Sequence, residues 1–507
     1  MQGRLSVTVI LMVLLAKSYA FPSIRFGLRE RTPEQLEALY RIPEWHAQRV
    51  SGHRSAPILS KGIDNTCHRF FPSVFSQRGG SCSQAAAIRY VYTYEYNRMK
   101  GTEAVGKENI FSYMFTWNYL NEGIGEGSQP ELGYDIMKTA GVPTLSGMDD
   151  DDDTSVSTTT WLSGYDKYVE AMKHRVKSYY RFNLKTREGI DDLRQYLYNH
   201  GEEGASGGVV TFSCNADNWG MAVYGGPSVT GLHDIIVKNG TKGGHCVTIA
   251  GYDDTVEYDL NRDGVVQDDE RGAFIMVNSW GAWFGSNGKC YYPYKLFLMH
   301  FREGGLYDEY AQGLAVEPEA HQPLVVFHVN LTYDSRDDLF FVLGVSDDDE
   351  NGWGFSFDLV YPLMFNQGGD LPLCGDGGNV SCNTIDVGLN FTDYLPLFKD
   401  FKKPRFSLHI HRLDVGKTRG MGKVNYFSVL DYRKGVEYRC SHADVPLNTS
   451  EVRLDATTPI AISGVSDVFY KDSEKVTYDL NGVRTTGSHA GFNILQTCRN
   501  RYLKILK

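Results

Sequence analysis

After about Val316 the helical patterns of this chain stop. Short alternating runs follow, LVVFHVNLTY, DLFFVLGVS, RFSLHIHRLDV and PIAISGV, spaced by turns of Gly, Asp and Asn. A period of two sends successive side chains to opposite faces, so each run can bury one face and wet the other. A series of such runs marks an all-β sandwich. Upstream the patterns are mixed. Ser83–Lys100 (SQAAAIRYVYTYEYNRMK) predicts a helix with Gly101 as its C-cap, and further helices fit Glu131–Thr139, Gly164–Tyr179 and Gly189–Asn199. From Gly208 strands take over as VVTF, HCVTIAGY and AFIMVNSW. Glu, Pro, His and Gln cluster at Glu317–Pro323. The reading is therefore an α+β domain over residues 58–316 and a β-sandwich over residues 317–507.

Composition narrows the class. Of 507 residues 42% are hydrophobic, which suits a globular chain rather than a disordered one. The 51 Lys and Arg against 62 Asp and Glu leave a net charge of −11. That balance lacks the basic footprint of a nucleic-acid binder and the polybasic character of a membrane-surface protein. Residues 1–20 read as a secretory signal: Arg4, then the apolar run Ser6–Ala16, then Ser18-Tyr19-Ala20 with small residues at the cleavage positions. No later apolar run is long enough for a transmembrane segment. The expected location is secreted or extracellular, or the lumen of the secretory or lysosomal-type pathway.

Nine cysteines suit an oxidising compartment, and the odd count leaves at least one thiol. Cys374 and Cys382 bracket a Gly/Asp/Asn-rich loop and are expected to bridge, with Cys440–Cys498 as a second pair. Five sequons, at Asn239, Asn330, Asn379, Asn390 and Asn448, would be glycosylated in a eukaryotic secretory pathway. Residues 21–57 are locally basic. Thr32-Pro33-Glu34-Gln35 starts a short helix with a capping box, and Pro43 limits it. This segment reads either as a short propeptide or as a brace.

The sharpest local feature is Gln77-Arg78-Gly79-Gly80-Ser81-Cys82-Ser83-Gln84. The glycines put Cys82 at the end of a loop and the start of a helix, where unsatisfied N–H groups and the positive dipole end favour a thiolate. Alone, Cys82 reads equally as a half-cystine or a small buried residue. Two further motifs change that. Gly243-Gly244-His245-Cys246 sets His245 at the entry to an apolar strand, and Val277-Asn278-Ser279-Trp280-Gly281 sets Asn278 at the exit of another. An amide oxygen that accepts from one ring nitrogen fixes the tautomer and leaves the other nitrogen for the sulfur. Trp280 can cover that bond.

Together, Cys82, GGHCVTIAGY and VNSWGAWFGSNG resemble the papain-like cysteine peptidases, nearest to the secreted multidomain members of bacterial type with a C-terminal β-sandwich. The resemblance covers about residues 57–317. It implies a two-lobed catalytic domain, one lobe helical around Cys82 and one β-rich around His245. It further implies that Cys82 is the nucleophile and His245 the general acid and base. Asn278 would orient His245, Trp280 would shield the contact, and Gln77 would serve the oxyanion hole with the Cys82 N–H. The substrates implied are polypeptides, and catalysis needs no cofactor. Three positions depart from the pattern. Ser83 follows the nucleophile where Trp is usual, Gln77 stands five rather than six residues before Cys82, and Phe284 replaces a second Trp. They bear on rate and specificity more than on reaction class. Two alternatives share the motifs: an inactive papain-fold scaffold, and an acyl transferase with the same Cys-His-Asn set.

Between His245 and Asn278, Asp259–Glu270 fits a twelve-residue calcium loop. Asp259, Asn261, Asp263, the Val265 carbonyl and Glu270 are the expected ligands of a structural Ca2+, with Gln267 direct or through water. The β-sandwich sequence names no ligand.

Overall fold

A computed structural model describes residues 27–47, 59–150, 157–299, 308–347, 356–361, 368–374, 383–413 and 420–462, and two short strands, Thr477–Tyr478 and Arg484–Thr485. The expected signal segment, Cys382, Cys498 and Asn379 lie outside the described residues.

The helix starts follow from local chemistry. Gln35 N–H donates to Thr32 Oγ1 while Thr32 N–H donates to Gln35 Oε1, so a complete capping box opens Pro33–Arg41. Cys82 opens a helical stretch that runs through Ala85–Tyr92 to Lys100 and ends at Gly101, where φ is +69°. Tyr113–Leu120, Pro130–Ala140 and Arg187–Asn199 complete the main helices of the first domain. The helix expected over Gly164–Tyr179 covers only Tyr165–Ala171. The rest turns into the strand Val176–Asn183, because its β-branched and aromatic residues find a distant partner in Tyr310–Val316.

The first sheet runs Val176–Asn183, Tyr310–Val316, Val210–Asp217, Lys242–Glu257, Arg271–Val277, Lys289–Pro293, Asp234–Lys238, Gly220–Val223, with Gly62–Asp64 added on Lys242–Glu257. Tyr310–Val316 is the strand of this sheet latest in the chain.

The second sheet is one antiparallel ladder in the order Ser356–Val360, Leu339–Asp347, Pro404–Arg412, Glu451–Ala461, Val436–Cys440, Gly422–Asp431, Val325–Tyr333, Thr384–Asn390. Val325–Tyr333 and Pro404–Arg412 are four strands apart, roughly 19 Å in a flat sheet. Yet the Phe327 and Phe406 rings are 5.9 Å apart. The sheet therefore curls until its halves face each other, so two-layer packing arises from one ladder rather than two.

The two parts share a core. One cluster of buried apolar side chains runs from Ile88 and Tyr113 into Val329 and Phe427. Tyr165 stacks near His328, its hydroxyl is 2.8 Å from that of Tyr432, and Arg175 grips Asp393 at 2.9 and 3.0 Å.

The expected pairs Cys374–Cys382 and Cys440–Cys498 each have one member outside the described residues. No disulfide is found among the described cysteines, and Cys67, Cys82, Cys214, Cys246, Cys290 and Cys440 stand as thiols. Cys214, Cys246 and Cys290 are fully buried on sheet strands, each packed as a small apolar side chain. A free Cys82 therefore does not by itself single out the nucleophile. Among the sequons, Asn239 and Asn390 are buried, and their amides donate to the carbonyls of Leu296 and Thr139. Neither can carry a glycan in this fold, whereas Asn448 is exposed. Among the described residues no helix is long and apolar enough to cross a membrane.

Candidate active site

The register of two neighbouring strands brings His245 and Asn278 together. Thr248 pairs with Val277, so the residue after Val277 lies beside the stretch that leads back to His245. His245 Nε2 is 2.9 Å from Asn278 Oδ1, and both residues are fully buried. Among the described residues His245 Nδ1 and Asn278 Nδ2 have no hydrogen-bond partner. A buried, orphaned ring nitrogen is costly unless it has a task. Trp280 stacks on the imidazole at 4.6 Å and 26°. Trp219, which the sequence reading missed, stands 6.0 Å from His245 and 5.8 Å from Trp280. It lies in the short connection between Val210–Asp217 and Gly220–Val223, so no periodicity marked it.

Cys82 sits at the N-terminus of its helix, also fully buried. Backbone N–H groups of Cys246, Gly27 and Ser83 point at its sulfur, and Cys246 directly follows His245. Burial nevertheless dominates and pushes the thiol up to about 11. Burial likewise pushes His245 down to about 4, against the hydrogen bond to Asn278. Thiol and imidazole are both neutral in this state.

Gln77 lies close by but is engaged. Its Nε2 donates to Gly79 O at 3.1 Å, its Oε1 accepts from the Ser279 hydroxyl at 2.5 Å, and its N–H donates to Ser279 O at 2.7 Å. The side chain thus ties the nucleophile loop to the residue after Asn278. Ser83 also has a local reason. Its hydroxyl is 3.0 Å from that of Ser128, and Gln84 bonds Ser128 and Gln129, so both hold the 127–129 wall of the cleft.

The N-terminal segment packs against Cys82 and Gly244. Gly27 lies against Cys82, and Leu28 N–H donates to Gly244 O at 3.1 Å. A Cβ on Gly27 would come within 1.9 Å of Gly80 O, and one on Gly127 within 1.4 Å of Gly27 O. The strap therefore threads a slot with no room for side chains on either side. Gln129 Nε2 donates to Arg29 O. Arg31, 2% exposed, binds Glu131 at 2.7 and 3.2 Å and Asp308 at 2.6 and 2.8 Å. Farther on, Trp45 N–H donates to Arg181 O, and His46 meets Asp192 at 2.9 Å. Residues 27–31 lie against Cys82, Gly244 and Glu131, and residues 44–47 lie along the sheet edge at Arg181.

The loop Asp259–Glu270 gathers part of the expected calcium set. Asp259, Asn261 and Asp263 accept from the backbone N–H groups of Asp263, Gly264 and Val265, and Gln267 bonds Asp263. Gly264 takes φ +88° at the sharp turn. Glu270 is used differently. Its oxygens accept from the N–H groups of Leu260, Asn261 and Gln267, and Lys295 Nζ lies 3.2 Å away. The oxygens of Asp259, Asn261, Asp263 and Gln267 suit a hard cation, while Glu270 closes the loop from behind.

Cys82 thus opens a helix against Cys246, the residue after His245, and His245 is held by the Asn278 amide. Solved structures with a similar trace are cysteine proteases. Xylellain from Xylella fastidiosa is 18% identical over 57% of this chain and 95% of its own, with TM-score 0.38. Procathepsin B S9 from Trypanosoma congolense is 12% identical over 58% and 87%, with TM-score 0.36. Bromelain from Ananas comosus, bound to the E64 inhibitor, is 16% identical over 51% and 100%, with TM-score 0.33. No residue role is taken from them. No protein-family model and no curated protein matches the sequence.

Proposed function

We propose that the chain is a secreted cysteine peptidase of papain type, held latent by its own N-terminal strap. The observation that carries this reading is the His245–Asn278 hydrogen bond, which leaves Nδ1 of a buried imidazole without a partner. Cys82 would attack the peptide carbonyl as a thiolate after passing its proton to His245. His245 would then protonate the leaving amine, and water activated by the same imidazole would hydrolyse the thioester and return the proton. The oxyanion would meet the Cys82 N–H at the helix start, with Gln77 Nε2 offering its second hydrogen. No cofactor enters these steps.

The strap accounts for the neutral pair. With water excluded, the charged thiolate–imidazolium state is disfavoured at both partners. Displacing residues 27–31 rehydrates the cleft and lowers the Cys82 pKa. The test is labelling by an epoxysuccinyl inhibitor, read by mass spectrometry, on the intact chain, the Arg31→Ala chain and the Cys82→Ala chain. Stoichiometric label on Cys82 once the strap is loosened supports the peptidase. No label in the reduced, strap-loosened protein sinks it and favours the scaffold reading.

A further inference from the structure

The curled sheet carries a cluster that the peptidase reading does not use. His409 and His411 alternate along Pro404–Arg412 and so share one face, opposite the buried Phe406, Leu408 and Ile410. The ladder to Glu451–Ala461 sets Glu451 directly across from His411 and Arg453 across from His409. Glu451 Oε1 is 3.2 Å from His409 Nδ1 and 3.9 Å from His411 Nε2. One donor atom from each of the three lies within 4.8 Å of the others. Two ligands on a tetrahedral zinc at its usual bond lengths stand roughly 3.4 Å apart. Small side-chain rotations on a fixed ladder close that difference.

The surroundings orient the rings. Ser407 Oγ lies 3.3 Å from His409 Nε2, leaving Nδ1 aimed at the carboxylate. His411 stacks on Phe340 from the neighbouring strand at 4.5 Å and 8°. Such outer contacts are what hold metal-binding imidazoles in place. The cation nearest in the register, Arg453, is drawn away to Asp455 at 3.1 Å. The side chains of His409, His411 and Glu451 are 12%, 28% and 49% exposed, so the group opens to solvent on the carboxylate side. Two imidazoles and one carboxylate suit zinc-type ions, not calcium, which takes oxygen ligands.

We infer that His409, His411 and Glu451 form a binding site for a divalent transition-metal ion of the zinc type, its fourth position left to water. The site staples Pro404–Arg412 to Glu451–Ala461. The experiment uses the full chain with Cys82→Ala, which removes the active-site thiol, stripped with chelator and titrated with Zn2+ by calorimetry and with Co2+ by absorption. One equivalent is expected, with a tetrahedral Co2+ spectrum free of thiolate charge-transfer bands. Affinity should fall at least ~10-fold in His411→Ala and in Glu451→Gln, and stay unchanged in Asp263→Asn. Should His411→Ala melt early without metal, the half-exposed Glu451→Gln decides. Absent binding, thiolate bands, or equal affinity in Glu451→Gln overturns the site.

Discussion

Leu28 donates its backbone N–H to the carbonyl of Gly244, the residue immediately before His245. The strap thus bonds to the strand that carries His245, as an extended peptide would. The Gly80–Gly27–Gly127 slot fixes where it runs.

Arg31→Ala should unlatch the strap. It removes one guanidinium from between two carboxylates, and breaking a buried pair typically costs about 3–5 kcal/mol. The rate of Cys82 labelling should rise at least ~10-fold, since 1.4 kcal/mol is already tenfold. Equal rates in the two proteins would mean that Arg31 holds nothing in place.

Acid should loosen the same latch. Burial alone would raise Glu131, but the Arg31 guanidinium overrides it and holds the carboxyl below its ordinary value. A depressed carboxylate contributes stability above its ordinary pKa and loses it as pH falls through the lowered value. Asp308, raised by burial, protonates first and leaves the Arg31–Glu131 pair intact. Strap release should therefore fall below the ordinary carboxylate range, and Glu131→Gln should move it upward. Limited proteolysis between Gly27 and Arg31, followed against pH, measures it.

With the strap docked, thiol alkylation of Cys82 should climb only as pH nears its value of about 11. At pH 7 roughly one molecule in 10,000 would be thiolate. The strap-loosened chain should react at lower pH. Fast alkylation of the intact chain near neutrality would contradict the latent state.

Asn278→Ala removes the side chain that hydrogen-bonds His245 Nε2. Turnover on a peptide substrate should drop at least ~10-fold through loss of ring orientation, with KM little changed. A melting curve alongside separates this from misfolding.

Calcium should raise the melting temperature of the wild-type chain, and chelator should lower it, with Asp263→Asn insensitive to both. An identical curve with and without chelator removes the loop Asp259–Glu270 from the list of metal sites.

Expressed in a eukaryotic secretory pathway, the chain should lose glycan mass in Asn448→Gln but not in Asn239→Gln. The Asn239 amide is buried against Leu296 O. A glycan found on Asn239 would mean that modification precedes folding of that strand.

Much of this was legible in the residues themselves. The capping box at Thr32, the glycine stop at Gly101, the alternation after Val316 and the three motifs around Cys82, His245 and Asn278 are local signals. Each is written within a few residues by backbone sterics, capping or side-chain period. Tertiary structure decided the rest. Val176–Asn183 became a strand because a partner more than a hundred residues away completed its ladder. The cysteine count suits an oxidising compartment, yet burial has claimed Cys214, Cys246 and Cys290 as core. Where residues 27–47 found their hydrogen bonds, with Gly244 and Glu131 at one end and Arg181 at the other, likewise depended on the fold. Sequence fixes what a residue can do by its own chemistry and near neighbours. Which distant group it meets, and hence whether a thiol is exposed or silent, depends on closing the whole chain around it.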